Sequence, residues 1–313
     1  MEYKLTTIRE IIGDVLCEQG RKNPDIYVID SDLAKSTTTN KFQNEFPNRF
    51  VETGIAEQNA VSIATGIADE GKIPFYVNFA IFVSGTAWTQ VRQACYANAN
   101  VKFIATHPGM DGGYDGASHH ANEDIALMRV LPNMKVLVPS NHDEFKKCVQ
   151  LAIDHEGPVY IRAARDVVPD LPSHFDVEIG HSYCVENNGN DFAMIFEGST
   201  TDLAYRSFET LTNEGFNGQL INIFSIKPMD KDYIRKLAKE VKRIVTTDYA
   251  EDFEKGNVHI LAASSADEEE TKKWVNEIQE AFPGIKVLWD YLPMGITCHI
   301  GPGGLGIGYS VRP

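Results

Sequence analysis

Apolar residues in the first half of the chain alternate between two spacings. Ile8, Ile11, Ile12, Val15 and Leu16 share one face of a helix, the signature of an amphipathic segment. Thr7 and Glu10 are spaced as a capping box at its start, and Gly20 with Asn23-Pro24 ends it. The apolar run 26–29 then predicts a buried strand. The pattern repeats, with helices expected over 55–70, 85–99, 122–130 and 143–154, and strands at 74–79, 101–106, 135–138 and 159–162. Strands alternating with helices imply parallel pairing with helices on both faces of a sheet. A polar, Pro-containing passage over 167–190 precedes a second run of the same kind, with strands expected at 192–196, 220–224, 243–247 and 285–289. The expected fold class is therefore α/β, with two doubly wound α/β/α domains and a boundary near residue 180. No tandem repeat points to a solenoid.

Composition adds mostly exclusions. A chain of 313 residues, 43% hydrophobic, can bury a large core. Its 29 basic and 44 acidic residues leave a net charge of -15, which opposes binding to nucleic acid or to an anionic membrane. Cys17, Cys95, Cys148, Cys184 and Cys298 form no CxxC pair and have no zinc-type spacing to histidines. Reduced thiols in a cytoplasmic protein, with no metal site on this chain, are expected. The opening MEYKLTTIRE has no apolar core of a signal peptide. The most apolar stretch, 73–88, is too short and too interrupted to span a bilayer.

Candidate chemistry concentrates in the segment THPGMDGGYDGASHH, 106–120. It follows a buried-type strand, where open α/β sheets bind ligands. Its four glycines permit close approach or positive φ, and it carries His107, His119, His120, Asp111 and Asp115. Neither a P-loop nor a GxGxxG turn is present, so phosphate cradling by those routes is not indicated. In GIAEQN, 54–59, Glu57 falls in the first turn of a predicted helix; a carboxylate there is favoured by the helix dipole alone, or it is functional. Phe79 and Phe82 by themselves read as core.

Taken in order, DSDLAKST, ETGIAEQN, NFAIFVSGTAWTQVR, ATHPGMDGGYDGASHH, EDIALMRVLPNMKVLVPS and PVYIRAARD resemble the transketolase family, in particular the C-terminal half found in two-subunit transketolases. The resemblance covers nearly the whole chain. It implies a pyrimidine-binding domain at about 1–180, a transketolase C-terminal domain at about 190–313, and thiamine diphosphate as cofactor. The family's GDG motif is not found in this sequence. The resemblance therefore implies that an N-terminal partner subunit holds the diphosphate and its Mg²⁺ (or Ca²⁺), in an α₂β₂ assembly. By the same comparison Glu57 looks like the glutamate that hydrogen-bonds the cofactor's pyrimidine and activates it. Phe82 and Phe79 look like the wall packing that ring, and Asp32 like a residue near the thiazolium and the subunit boundary. Asp115 resembles the residue binding the ketose hydroxyl beside the scissile bond, and His119 one that steers protons near the C1 hydroxyl. His107, Arg9, Ser36 and Arg165 occupy positions like those that bind the sugar phosphate. The implied reaction moves a two-carbon ketol unit from a ketose phosphate to an aldose.

Departures from the family pattern lie beside these residues. Tyr114 stands where many relatives have an acid, and His120, next to the substrate residues, where they have a glutamine. Both bear on sugar preference. Gly85 to Gln90 lacks an Arg and an Asp common in split relatives, which bears on the subunit boundary. The Gly-rich tail reads as a strand and turn. Two other readings compete: the beta subunit of a 2-oxo-acid dehydrogenase complex, and a non-catalytic partner subunit. ASHH and ALMRVLPNM, with Arg9, Ser36 and Arg165, favour sugar phosphates over the first. Glu57, Asp115 and His119 together argue against the second.

Overall fold

A computed structural model of the chain describes residues 4–111, 113–170 and 177–246, together with 258–264, 272–273, 275–276, 279–280, 287–291 and 305–311. Gly112, Cys298 and part of the expected strand at 285–289 lie outside the described residues. Two compact units result, Met1–Thr247 and Asp248–Pro313.

The first unit opens with β1 (Leu5–Thr7), α1 (Ile12–Lys22), β2 (Ile26–Asp30), α2 (Asn40–Glu45), β3 (Phe50–Glu52) and α3 (Glu57–Asp69). It continues with β4 (Ile73–Phe79), α4 (Trp88–Tyr96), β5 (Lys102–Thr106), α5 (Asp124–Val130) and β6 (Lys135–Leu137). Next come α6 (His142–Asp154), β7 (Val159–Ala163), β8 (Val167–Pro169), β9 (Tyr183–Asn187), β10 (Phe192–Phe196) and α7 (Thr201–Asn213). It closes with β11 (Gly218–Asn222), β12 (Ser225–Lys227), α8 (Lys231–Glu240) and β13 (Ile244–Thr246).

A seven-stranded sheet in the order β12-β6-β7-β5-β4-β2-β3 forms the centre. All its pairings are parallel except that of the edge strand β12. Its near-continuous apolar strands are buried on both faces, as a helix-covered parallel sheet requires. One face packs Val61, Ala64, Tyr76 and Phe103, and the other packs Ile12, Leu16, Phe75 and Phe145. A smaller sheet, β13-β10-β11-β9, carries α7 residues on one face and α8 residues on the other. The expected α/β class and its repeated alternation are therefore present, with β9 as a second antiparallel edge. In the second unit, β14 (Val258–Ser264) pairs parallel with β15 (Val287–Tyr291) and antiparallel with β16 (Leu305–Val311). No helix among the described residues is long and apolar enough to cross a membrane.

Several local expectations are corrected. Thr7 caps nothing: the chain is extended through β1, which pairs antiparallel with β8, and residues 8–11 form a tight 3₁₀ turn before α1 begins. The Arg9 N–H, one of the donors that a Thr7 cap would accept, is taken by the Ala164 carbonyl at 3.2 Å. Helix α3 starts at Glu57, after Gly54 with φ 65°. The expected helix 85–99 is divided, a wide turn over Phe82–Thr86 preceding α4, with the Ala87 N–H on the Phe82 carbonyl at 2.9 Å. The polar passage over 167–190 is no plain separator, since it contains β8 and β9.

Candidate functional site

Register in the main sheet decides what meets what. Phe79 at the end of β4 is level with Thr106 of β5, which is level with Ala163 of β7; Asp30 of β2 is level with Glu52 of β3. The segments that leave these strands therefore start from one edge, the carboxyl edge where open α/β sheets place ligands. They carry Asp32 and Ser36, Glu57, Phe82, the loop from His107, and Arg165. The β1–β8 pairing adds Arg9 from the far end of the sequence.

Four rings gather there. The Phe79 ring lies 3.8 Å from His107 and 5.9 Å, stacked, from Phe82. His119 meets Phe82 edge-on at 5.4 Å and Phe79 at 6.2 Å. The phenylalanines are thus more than core filling, since they wall two imidazoles. His107 is 4% exposed, adopts φ 55°, and shares a 2.8 Å hydrogen bond between Nδ1 and Thr106 Oγ1. Burial pushes its imidazole down to about 4, helped by the charges of Arg165 and Arg9 and opposed by Asp115. His107 is therefore neutral at neutral pH, with two guanidiniums and a carboxylate in electrostatic reach.

Both arginines are tethered by one backbone carbonyl. Arg9 Nη1 donates to the Ser36 carbonyl at 2.8 Å, and Arg165 Nη1 to the Asp111 carbonyl at 2.9 Å. The buried Arg9 Nε has no hydrogen-bond partner among the described residues. Ser36 thus contributes through its main chain; its hydroxyl has no hydrogen bond among the described residues. Asp115 and Tyr114 are exposed on the loop, and His119 Nδ1 shares a 2.9 Å bond with Ser118 Oγ. His120 Nε2 is buried without a partner among the described residues.

Glu57 is 8% exposed at the first position of α3, and its carboxylate makes no hydrogen bond or ion pair among the described residues. Its charge, with that of Asp30, acts on the buried Tyr76 hydroxyl, whose pKa burial raises most. That hydroxyl belongs to a chain running from Thr53 through Ser31 (2.9 Å) and Tyr76 (3.2 Å) to Asn78 (2.8 Å), whose Oδ1 accepts the Phe79 N–H at 2.6 Å. The loop leading to Glu57 is thereby tied to the aromatic wall. Asp32, φ 62°, has its N–H on Glu52 Oε1 at 2.8 Å and an exposed side chain. No ring contact or hydrogen bond among the described residues joins Asp32 or Glu57 to the four rings.

Several positioning groups carried no sequence signal of their own. Asp30 is fully buried and accepts from Leu33 N–H, Thr37 Oγ1 and Thr39 Oγ1 at 2.7–2.8 Å, shaping the loop that bears Asp32 and Ser36. Asp124, also fully buried, accepts from Arg162 Nε at 3.0 Å and Tyr160 Oη at 2.8 Å. Each reads in sequence as an ordinary acid. Among the described residues no group of three or more His, Cys, Asp or Glu is arranged to hold a metal ion.

Two family models match the chain. Residues 4–170 match the family model for the transketolase pyrimidine-binding domain, and residues 182–269 that for the transketolase C-terminal domain. A putative transketolase C-terminal section from Methanocaldococcus jannaschii is 38% identical over 233 residues, 73% of each chain. One subunit of the apulose-4-phosphate transketolase of Phocaeicola vulgatus is 35% identical over 251 residues, 79% of this chain and 80% of that one. Among solved structures, a split gene transketolase described as an inactive beta4 tetramer superposes with a TM-score of 0.70 at 36% identity, covering 91% of this chain and 89% of its own.

Proposed function

The chain belongs to the transketolase family, and we propose that it is the C-terminal subunit of a split transketolase, active only with an N-terminal partner. In this reading it moves a two-carbon ketol unit between phosphorylated sugars. The observation that carries the reading is the ring cluster of Phe79, Phe82, His107 and His119, with Arg9 and Arg165 acting on His107 from beside it.

The residues present fit the pyrimidine end of thiamine diphosphate. Glu57 is a largely buried residue whose carboxylate has no protein partner among the described residues, which leaves it open to a ligand. Phe79 and Phe82 supply an aromatic wall. When bound, the cofactor supplies the carbon nucleophile that cleaves the bond beside a ketose carbonyl and carries the two-carbon unit. Glu57 would hold a proton at the pyrimidine nitrogen. His119, held by Ser118 and the two phenylalanines, would move a proton at the sugar's C1 hydroxyl or carbonyl oxygen. Asp115 would orient the hydroxyl next to the scissile bond, with His120 beside it. His107, neutral, would donate one hydrogen bond to the phosphate, while Arg9 and Arg165 neutralise its charge. Asp32 would stand at the subunit boundary.

The diphosphate and its Mg²⁺ (or Ca²⁺) fall to the partner in this reading, in an α₂β₂ assembly. Support comes from the sequence, which lacks GDG. Further support comes from the split-gene relative, whose tetramer of one subunit type is described as inactive. The name of the Phocaeicola vulgatus relative refers to a phosphorylated substrate, which suits a site with two guanidiniums. The test is reconstitution. The purified chain should be inactive on xylulose 5-phosphate, and the partner with thiamine diphosphate and Mg²⁺ should restore ketol transfer. Glu57→Ala should abolish turnover of the pair without unfolding the chain. Activity of the chain alone, or pyruvate decarboxylation without ketol transfer by the pair, would overturn the reading.

A further inference from the structure

We infer that Asp111 is a positioning residue that ties the glycine-rich loop to the exit of β7 and to the turn before α7, and so sets Arg165 for the phosphate end of the substrate. The inference rests on the proposed role of Arg165. Asp111 is 6% exposed, and one carboxylate oxygen, Oδ2, gathers three donors: Arg165 N–H at 3.0 Å, Asp166 N–H at 3.3 Å and Ser199 Oγ at 3.2 Å. These donors come from two places far apart in sequence, the exit of β7 and the turn before α7. The same residue's carbonyl receives Arg165 Nη1 at 2.9 Å. Both ends of Arg165, backbone and guanidinium, are therefore fixed by Asp111.

The loop also fits closely over the arginines it covers. A Cβ on Gly113, φ 56°, would stand 3.2 Å from Arg165 Nη1, and one on Gly109, φ 57°, 3.3 Å from Arg162 Nη2. Two chemistries meet in the latch. Backbone N–H and hydroxyl donors favour an ionised Asp111, whereas burial and the neighbouring Asp166 raise its pKa. An amide at this position keeps the size and can turn its oxygen to the three donors, but it loses the negative charge that strengthens those bonds. Asp111→Asn should therefore loosen Arg165 without emptying the space the side chain fills.

The reconstituted enzyme gives the test. In Asp111→Asn the KM for a phosphorylated acceptor should rise roughly tenfold, the scale of one charge-assisted hydrogen bond, with kcat changed by less than about threefold. Transfer to glycolaldehyde, which has no phosphate, should be nearly unchanged when the ketose phosphate donor is saturating. Equal losses on the two acceptors would overturn the inference, because a purely structural defect has no reason to single out the phosphate. So would no loss on either. A second measurement is independent of turnover: inorganic phosphate titrated into the isolated chain, followed at the His107 imidazole by NMR. The wild-type chain should shift at a phosphate concentration roughly tenfold lower than Asp111→Asn. Identical curves, or no shift in the wild type, would overturn it. If the wild-type pair shows no ketol transfer while the phosphate curves still differ, the proposed function fails and the latch stands.

Discussion

Replacing His107 by asparagine tests the electrostatics of the site while leaving Glu57 untouched. Asparagine tolerates the left-handed backbone found there, φ 55°, so the change is chiefly one of charge and hydrogen bonding. Burial lowers the folded pKa of His107 to about 4, from an ordinary 6.5, with help from Arg165 and Arg9. As pH falls, the unfolded chain binds this proton first. The stability held by the neutral imidazole is therefore complete above pH 6.5 and lost as pH falls through about 4. The linkage relation with these values gives a loss of about 2 kcal/mol at pH 5 and about 3 kcal/mol at pH 4. Urea unfolding of wild type and His107→Asn at pH 7, 5 and 4 should show the difference between them shifting by these amounts, the wild type falling faster. An NMR titration should place the imidazole well below 6.5. Saturating inorganic phosphate should move it upward, because a bound dianion offsets the two guanidiniums. A His107 that titrates near 6.5, or a stability difference flat from pH 7 to 4, would refute the reasoning.

Lys102, fully buried, donates to Asn100 Oδ1 and to the His155 and Gly157 carbonyls at 2.6–2.7 Å; Lys102→Met orphans the two carbonyls and should cost about 2–3 kcal/mol in denaturant unfolding. Arg162→Met strips a partner from the buried Asp124 and should cost about 3–5 kcal/mol, with the double variant Arg162→Met, Asp124→Asn, which keeps an acceptor for Tyr160 Oη, measurably more stable than the single one. Gly113→Ala, forced to keep φ 56°, should destabilise the loop by about 1–2 kcal/mol and raise the KM for phosphorylated substrates, a change read in the same two-acceptor assay.

Much of the fold was legible because the main sheet's strands are buried on both faces. Runs such as 26–29 and 103–105 are apolar throughout, and little else in a globular chain has that character. The weaker elements carry no such signal. Residues 167–169 and 183–187 are short edge strands whose pairing partners, β1 and β11, are settled only by the tertiary fold. Thr7 shows the same limit from the other side. Its spacing to Glu10 satisfies the capping pattern, yet the Ala164 carbonyl claims the backbone two residues on. Site residues follow this division. His107, Asp115 and His119 stand out through glycine density and histidine clustering. Asp111 sits in the same loop but differs from Asp115 only in burial, 6% exposed against an exposed position, which local sequence does not encode.

The way each charged group is held bears on how the site works. Arg9 and Arg165 are each anchored by one main-chain carbonyl, which fixes the guanidinium but leaves its other N–H groups to face a ligand. Had carboxylates held them instead, a phosphate would have to compete with a full counter-charge before binding. His107 is handled by the opposite device, kept neutral by burial and by those same arginines, so that it brings directional hydrogen bonding without a third positive charge. Glu57 is left with no ion pair among the described residues, which in the proposed reading leaves its carboxyl to the cofactor's pyrimidine. Bringing a cation near Glu57 should therefore be harmful in a way that adding a distant one is not. Gln58→Lys, one residue along α3, is expected to lower kcat of the reconstituted pair by more than KM changes. An equal effect from Gln43→Lys, exposed on α2, would show that net charge, and not the isolation of Glu57, is what matters.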